Sequence, residues 1–375
     1  MSTEMVETAC LTPSRRAADT PPYPRSDLSV RPGVPIVQLS KNESAMPLPS
    51  RWIDAAAQAA SLASAYPDPD CRDLRRAIAE TFCLKEQQIF CSAGLMECLQ
   101  SIALAYLDPG DNVVIPEYAF AFFRNATELA GAQVTLVPER NFQVDIGCIL
   151  EAVDESTKMV IFANPGNPTG TYLSRQSISQ LRGCLPASTL LVVDEAYAEF
   201  VREDRYEGLF DLTDSGNVII LRTFSKTYAL AGFRVGWAYC PPKAIDYLRR
   251  IQVPAIVNSV AQAMAAIAVR DQEYVCSFKR EMRAIRCRFT NRLAQLERIA
   301  AVESEANFVL LRTRSEAEAR SLDSFLRQHG IVLRRQAGVG LGDCLRASIG
   351  TEEQMQFVAS RIADWCGVCA MKATS

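Results

Sequence analysis

Histidine is almost missing from this chain: among 375 residues the only imidazole is His329. Ser-His-Asp and Cys-His catalysis and histidine-rich metal sites all need imidazoles, so each would have to recruit His329 itself. That residue precedes Gly330 where a helix is expected to stop, a usual place for a basic side chain beside a terminating glycine. Whatever chemistry occurs must run on Lys, Tyr, Asp, Arg or a cofactor, and no metal is expected. Long apolar runs are missing too. None approaches the roughly 20 residues that span a bilayer, and Met1 to Asp19 has charges but no apolar stretch of the kind a secretory leader carries. The expectation is a cytoplasmic protein without a membrane partner. Nor is there an excess of one charge: a net -3 gives no broad electrostatic reason to bind nucleic acid.

What is present points to an ordinary globular protein, 49% hydrophobic and 22% charged, too long for one simple core. Thirteen cysteines do not frame a short secreted domain; Cys83, Cys91, Cys148 and Cys240 are scattered through expected helices and strands as small hydrophobes. Cys366 and Cys369 form a C-x-x-C without a second pair or βαβ context, which argues against a zinc or redox site. Residues 1–33 are rich in Pro, Ser, Arg and Thr without a hydrophobic period and read as a loose arm. The expected organisation is that arm, a segment 34–65 packing with the smaller domain, a large domain 66–256 and a small C-terminal domain 257–375.

An Ala-rich helix is expected from Ile53 to Ala65, broken at Tyr66-Pro67-Asp68-Pro69. Then β-rich runs alternate with helical segments: Gln88 to Cys91, Asn112 to Ile115, Gln133 to Val137, Lys158 to Ala163, Thr189 to Asp194 and Asn217 to Arg222. That alternation predicts an α/β fold with a mostly parallel sheet flanked by helices. Val235 to Cys240 is expected to add an antiparallel strand, because only a short loop precedes it. Beyond Pro242 the pattern changes to helices over 243–252, 257–270 and 273–299, a strand at 307–312, a helix over 315–329, strands near Ile331 and Leu345, and a last helix over 351–366, making an α+β domain.

In open parallel sheets ligands bind beyond the carboxyl ends of the strands. Here one strand runs into Asn164-Pro-Gly-Asn167-Pro-Thr-Gly170, a second into Asp194-Glu195-Ala196-Tyr197 and a third into Thr223-Phe224-Ser225-Lys226. Three strand ends can thus converge an amide, a carboxylate, a phenol, a hydroxyl and an amine. Pyridoxal phosphate asks for that set. Its pyridine nitrogen must stay protonated, which an acid such as Asp194 favours; Tyr197 and Asn167 can tune its ring oxygen. Lys226 is the candidate Schiff-base lysine, an amine that must be neutral at some point in the cycle. Gly94 and Leu95, opening a helix after a strand, offer backbone N–H groups to a phosphate; Ser225 and Arg234 can add a hydroxyl and a guanidinium, and Tyr118 a stacking ring. Taken singly, the Asn-Pro segment reads equally as a turn cluster, Asp194-Glu195 as a helix-start acid pair, Lys226 as a surface lysine, and Arg346 as the partner of a structural carboxylate.

The order of these segments, with Pro116-x-Tyr118, Ala231-Gly-Phe-Arg234-Val-Gly236 and Leu345-Arg346-Ala-Ser-Ile-Gly-Thr351, resembles the fold-type I aminotransferases over about residues 36–366, and within them the histidinol-phosphate aminotransferases. The resemblance implies an enzyme moving an amino group between an amino acid or amino phosphate and a 2-oxo acid such as 2-oxoglutarate. It implies Lys226 as the covalent lysine, Asp194 as pyridinium partner and Thr223 with Ser225, Arg234, Gly94 and Leu95 around the phosphate. It also implies Arg346 on the substrate carboxylate, Asn42 and Arg334 on the variable part of the substrate, and a homodimer in which Tyr66 reaches across from the partner. The substrate-facing segments depart from the family: Asn42-Glu43-Ser44-Ala45-Met46-Pro47 replaces an Asn-Glu-Asn-Pro-like run, and Ala93-Gly94-Leu95-Met96 has no acid before Glu97. An aromatic or specialised amino donor, or decarboxylation of a phosphorylated amino acid, therefore stays open. A nucleotide site at Gly338, Gly340 and Gly342 fails on spacing and on the strand expected after it. A catalytically dead binding protein on the same fold is countered by the intact lysine, aspartate and arginine set.

Overall fold

The computed structural model describes residues 11–14, 17–18, 20 and 29–367. Most of the expected arm, and Cys369 of the C-x-x-C, lie outside them. In chain order the elements are β1 (Val37–Gln38), α1 (Ser50–Ala60), α2 (Arg72–Phe82), β2 (Ile89–Ser92), α3 (Leu95–Tyr106), β3 (Asn112–Pro116), α4 (Ala121–Ala130), β4 (Gln133–Val137), β5 (Glu139–Arg140), β6 (Gln143–Val144), α5 (Ile146–Ala152), β7 (Thr157–Ala163), α6 (Arg175–Cys184), β8 (Leu190–Asp194), β9 (Val218–Thr223), β10 (Gly236–Tyr239), α7 (Pro242–Ile251), α8 (Ser259–Arg270), α9 (Gln272–Leu293), β11 (Ile299–Ala301), β12 (Phe308–Thr313), α10 (Glu316–Gln328), β13 (Ile331–Val332), β14 (Arg334–Gln336), β15 (Leu341–Ser348) and α11 (Glu352–Cys366).

A seven-stranded sheet in the order β2-β10-β9-β8-β7-β3-β4 forms the centre. Only β10 runs against its neighbours, Gly236 pairing with Thr223 on one side and Ser92 on the other. Every residue of β8 and β9 is buried, because successive side chains enter different cores. Val192, Ile219 and Leu221 pack with α3, α4 and α7, whereas Leu191, Val193, Val218 and Ile220 pack with α5 and α6. Continuous apolar strands are what a doubly covered parallel sheet demands.

A second sheet, antiparallel in the order β11-β12-β15-β14, packs with α9, α10 and α11. The expected helix over 273–299 ends instead at Leu293, and Ile299 opens β11 opposite Thr313. Leu293, Leu296 and Ile299 keep a helical spacing, yet they enter the same core from a helix end, a turn and a strand. α11 starts on a reciprocal cap, Thr351 accepting from the Gln354 N–H while the Gln354 side chain accepts from the Thr351 N–H. Near the start of the chain β1 pairs in parallel with β13; the fit needs Gly330, where a Cβ would lie 2.1 Å from the Pro35 carbonyl oxygen. His329 closes α10, its Nδ1 2.9 Å from the Phe325 oxygen.

We propose that the domain boundary falls inside α9 rather than at 256/257. Ala261, Met264 and Val275 share a core with Ile89, Trp237 and Tyr239 of the large sheet, while Phe278, Met282 and Phe289 share one with Phe308 and Leu345. No described helix is long and apolar enough to cross a membrane.

Candidate active site

The carboxyl ends of β7, β8 and β9 open into a cavity of about 810 Å³ whose other walls come from β15, from 40–43 after β1, and from the start of α3. Asp194 is the last residue of β8 and is 6% exposed. Its Oδ1 accepts the Ala196 N–H at 2.9 Å. Burial raises its pKa to about 6, against the pull of that N–H and of Lys226. Lys226, in the turn after β9, donates from Nζ to the carbonyl oxygens of Asn42 at 3.2 Å and Lys41 at 3.3 Å. Burial lowers its pKa to about 8, helped by Arg346 and Arg234 and opposed by Glu43 and Asp194. An amine so poised is available as a nucleophile near neutrality.

Asn42, in a left-handed conformation (φ 55), donates from Nδ2 to the Tyr197 hydroxyl at 2.9 Å. Its own N–H goes to Ser348 Oγ at 2.8 Å. Arg346, on β15, donates to Asn167 Oδ1 and, at 2.9 Å, to the Ser40 oxygen. It stands directly opposite Arg334 of β14, and both line the cavity. Two guanidinium groups across one strand pair repel unless an anion lies between them.

At the far end Gly94 caps α3 with φ 85 and ψ 165, a combination almost confined to glycine. A Cβ there would come 2.5 Å from Arg234 Nη2. The Arg234 guanidinium therefore lies over the N-terminus of α3, held by the Ala231 oxygen at 3.0 Å. Ser225 and Thr223 are joined by a 3.1 Å bond from the Ser225 N–H to the Thr223 hydroxyl. A helix N-terminus, a guanidinium and two hydroxyls make an anion cradle at one end of the cavity. The amine and the buried acid lie on the adjoining strand ends. These groups fit pyridoxal phosphate: the cradle suits its phosphate, Asp194 would accept from its ring N–H, and Lys226 suits its aldehyde.

The structure thus gathers Asn42, Leu95, Asn167, Asp194, Tyr197, Thr223, Ser225, Lys226, Arg234, Arg334 and Arg346 around one cavity, with Gly94 beneath Arg234. Two expected residues are not in its wall. Tyr118 packs with Phe142, 6.4 Å between ring centroids, beside Leu310, Leu341 and Cys344; two residues on, Phe120 lines the cavity. Tyr66 is 96% exposed. Sequence reasoning missed Phe120, Met96, Glu43 and Arg335. Arg335 joins Arg334 where the β14 register slips before Gln336, a break of alternation that carries no sequence signal. Glu195, next to Asp194, takes no part: it is buried against Arg222 at 3.2 Å.

Comparison with known proteins settles the class of chemistry this arrangement serves. Residues 34–362 match the family described as aminotransferase class I and II. The chain belongs to that family. Its relatives include the histidinol-phosphate aminotransferase of Paramagnetospirillum magneticum, 38% identical over 93% of this chain and 97% of that protein. The histidinol-phosphate aminotransferase of Ruegeria sp. is 39% identical over 88% and 91%. Among solved structures, histidinol-phosphate aminotransferase from Sinorhizobium meliloti in complex with pyridoxal-5'-phosphate superposes with a TM-score of 0.84, at 28% identity, covering 89% of this chain and 91% of that one. The chain is a pyridoxal-phosphate-dependent aminotransferase of fold type I, acting on small molecules.

Proposed function

We propose that this aminotransferase takes its amino group from a phosphorylated amino donor of the histidinol-phosphate kind and passes it to a 2-oxo acid such as 2-oxoglutarate. The observation that carries the reading is the Arg334–Arg346 pair, opposed across β14 and β15 in the cavity wall. One anionic group, the phosphate of the donor or a carboxylate of the 2-oxo acid, would neutralise both guanidinium groups and so be shared by the two half-reactions. The names of the curated relatives support the same donor.

Each residue has work that follows from its placement. The bound cofactor acts as an electron sink for the substrate's Cα–H bond. Lys226 would hold it covalently and, once freed, carry the proton between carbon atoms, which its lowered pKa permits. Asp194 would keep the ring nitrogen protonated by charge pairing, and a cationic neighbour would in turn favour its ionised form. Tyr197 and Asn167 would face the ring oxygen, and Arg234 with the α3 N-terminus, Gly94, Leu95, Thr223 and Ser225 would hold the phosphate. Asn42 would bind at the substrate's side of Lys226. Phe120 would replace Tyr118 as the ring against the cofactor, because of the two it is the one that lines the cavity.

A second copy of the chain is part of the proposal. Tyr66, Leu62 and Val253 are 96%, 68% and 63% exposed, and Arg249, on the helix before Val253, bridges at 3.5 Å to Asp70, just after the Tyr66 turn. A partner covering this surface would bring its Tyr66 to the cavity. A reducing cytoplasmic setting suits the eleven free thiols among the described residues.

Half-reactions test the donor. Holoenzyme is mixed with histidinol phosphate, phenylalanine, tyrosine, arginine or glutamate, and loss of the bound cofactor's visible absorbance is followed. Histidinol phosphate and glutamate are expected to react, and Arg346→Ala to raise KM for both by about 10²-fold. An aromatic donor reacting faster than histidinol phosphate would favour a second reading, for which Phe120 and Met96 in the wall already speak.

A further inference from the structure

Asn307 ends the turn that leads into β12 and is 2% exposed. Its Nδ2 donates to the Asn42 carbonyl oxygen at 3.2 Å, while its Oδ1 is buried without a hydrogen-bond partner among the described residues. A buried acceptor left orphaned is a standing cost that a leucine of similar volume would avoid. The amide is therefore placed for what its nitrogen does. The oxygen it holds is the one that also accepts from Lys226 Nζ, at 3.2 Å.

The turn is itself immobilised. The Glu305 N–H donates to the Gly170 oxygen at 2.8 Å, and its carboxylate takes Arg202 Nε at 2.8 Å and Arg205 Nη1 at 3.0 Å. The Asn307 backbone oxygen accepts the Ile349 N–H at 2.8 Å. We propose that Asn307 is a positioning residue for amino transfer: by donating to the Asn42 carbonyl it fixes that oxygen as the dock for the free amine of Lys226. The proposal rests on Lys226 being the covalent lysine.

The groups facing Lys226 are Asp194 at the end of β8, Tyr197 with its ring centroid 5.7 Å from Nζ, Arg346 on β15, Arg234 after β9, and Glu43 beside Asn42. All of these except Tyr197 act on the amine through charge; the Asn42 carbonyl is neutral and acts through direction. It accepts a hydrogen bond from the amine or the ammonium and so keeps Nζ aimed while the proton is exchanged. Asn307→Asp removes the donor to the Asn42 carbonyl and puts a carboxylate on the far side of it from Nζ, so the amine should hold its proton to higher pH.

The experiment uses full-length enzyme carrying pyridoxamine phosphate, in which Lys226 is unbonded. An amine-acylating reagent is applied across pH, the Lys226 peptide is quantified by mass spectrometry, and the exposed Lys158 and Lys243 serve as references. Asn307→Asp is expected to move the labelling midpoint up by about one pH unit and the acid limb of kcat with it, leaving KM for glutamate unchanged. Asn307→Ala, which removes the donor without adding charge, is expected to change the Lys226 labelling rate about threefold with the references constant. A residue that only stabilised the fold would lower yield or Tm and, as Asn307→Ala, leave the Lys226 labelling rate unchanged against the references, and that result overturns the proposal. If Asn307→Asp does not fold, the alanine variant decides. Borohydride trapping separates the layers: a tag on another lysine defeats the Lys226 assignment and this inference together, whereas a tag on Lys226 with unmoved midpoints defeats the role of Asn307 alone.

Discussion

Asp194 and Glu195 are adjacent acids with opposite fates, and the difference is a matter of strand geometry. Asp194 ends β8 in the cavity, while Glu195 is buried with Arg222 and Glu199 on the other side. The sequence shows the pair without saying which member is chemical; only the family order of residues singles out Asp194. Burial raises its pKa to about 6, so in the cofactor-free protein the carboxylate costs stability. A carboxyl whose folded pKa is raised stabilises fully below its unfolded value, near 4, and that contribution is lost as pH rises through about 6. Asp194→Asn should therefore gain in Tm over the wild type as pH is raised from about 4 to about 8, yet lower kcat of the loaded enzyme by about 10²-fold or more for want of a charge partner. Calorimetry of both cofactor-free proteins at several pH values is the check; a Tm difference independent of pH would refute the stability half of the prediction.

At the scale of elements the strands were the most readable part. Their apolar runs are bounded by the segments that carry the site, so β7, β8 and β9 end within a residue of expectation. The misreadings share a cause, a local pattern that tertiary packing put to another use. Leu293, Leu296 and Ile299 look like one more helical turn, yet the chain leaves the helix and still buries all three. Tyr118 and Phe120 alternate after β3, and nothing local tells which ring faces the cavity. The start of α3 was readable through Gly94, but its reason was not, since the Arg234 guanidinium lying over it is far away in sequence. Gly94→Ala would set a Cβ into that guanidinium and strain φ and ψ, at about 1–3 kcal/mol. The expected outcome is a Kd for pyridoxal phosphate raised by about tenfold or more, with a smaller change in KM for glutamate. Equilibrium dialysis of the cofactor measures it, and an unaltered Kd would remove Gly94 and Arg234 from the phosphate site.

For the whole molecule, sequence patterning marked two cores and the family order implied a pair of chains, but the point where one core passes to the other inside α9 was hidden. A helix that is apolar on both stretches gives no break in composition where its neighbours change. The proposed sharing of sites between two copies has a direct test. Tyr66→Ala and Lys226→Ala are each expected to be inactive or nearly so. Unfolded together and refolded, they should form hybrids in which the Lys226 of one protomer meets the Tyr66 of its partner, recovering one working site per hybrid. Activity no greater than the sum of the separate variants, in a preparation shown by sedimentation to contain hybrids, would mean that each chain completes its own site.

The pairing of β1 with β13 sets an order on how the enzyme comes into being. Residues 40–43 belong to the opening of the chain, but Val37 has no strand to join until Ile331 has been made. During synthesis the large sheet and Lys226 can emerge and pack while the Asn42 carbonyl, Arg334 and Arg346 are still missing or unplaced. The side of the cavity that would take the cofactor can therefore assemble before the side that would take the substrate, whose Asn42, Arg334 and Arg346 wait on the strand that Ile331 opens.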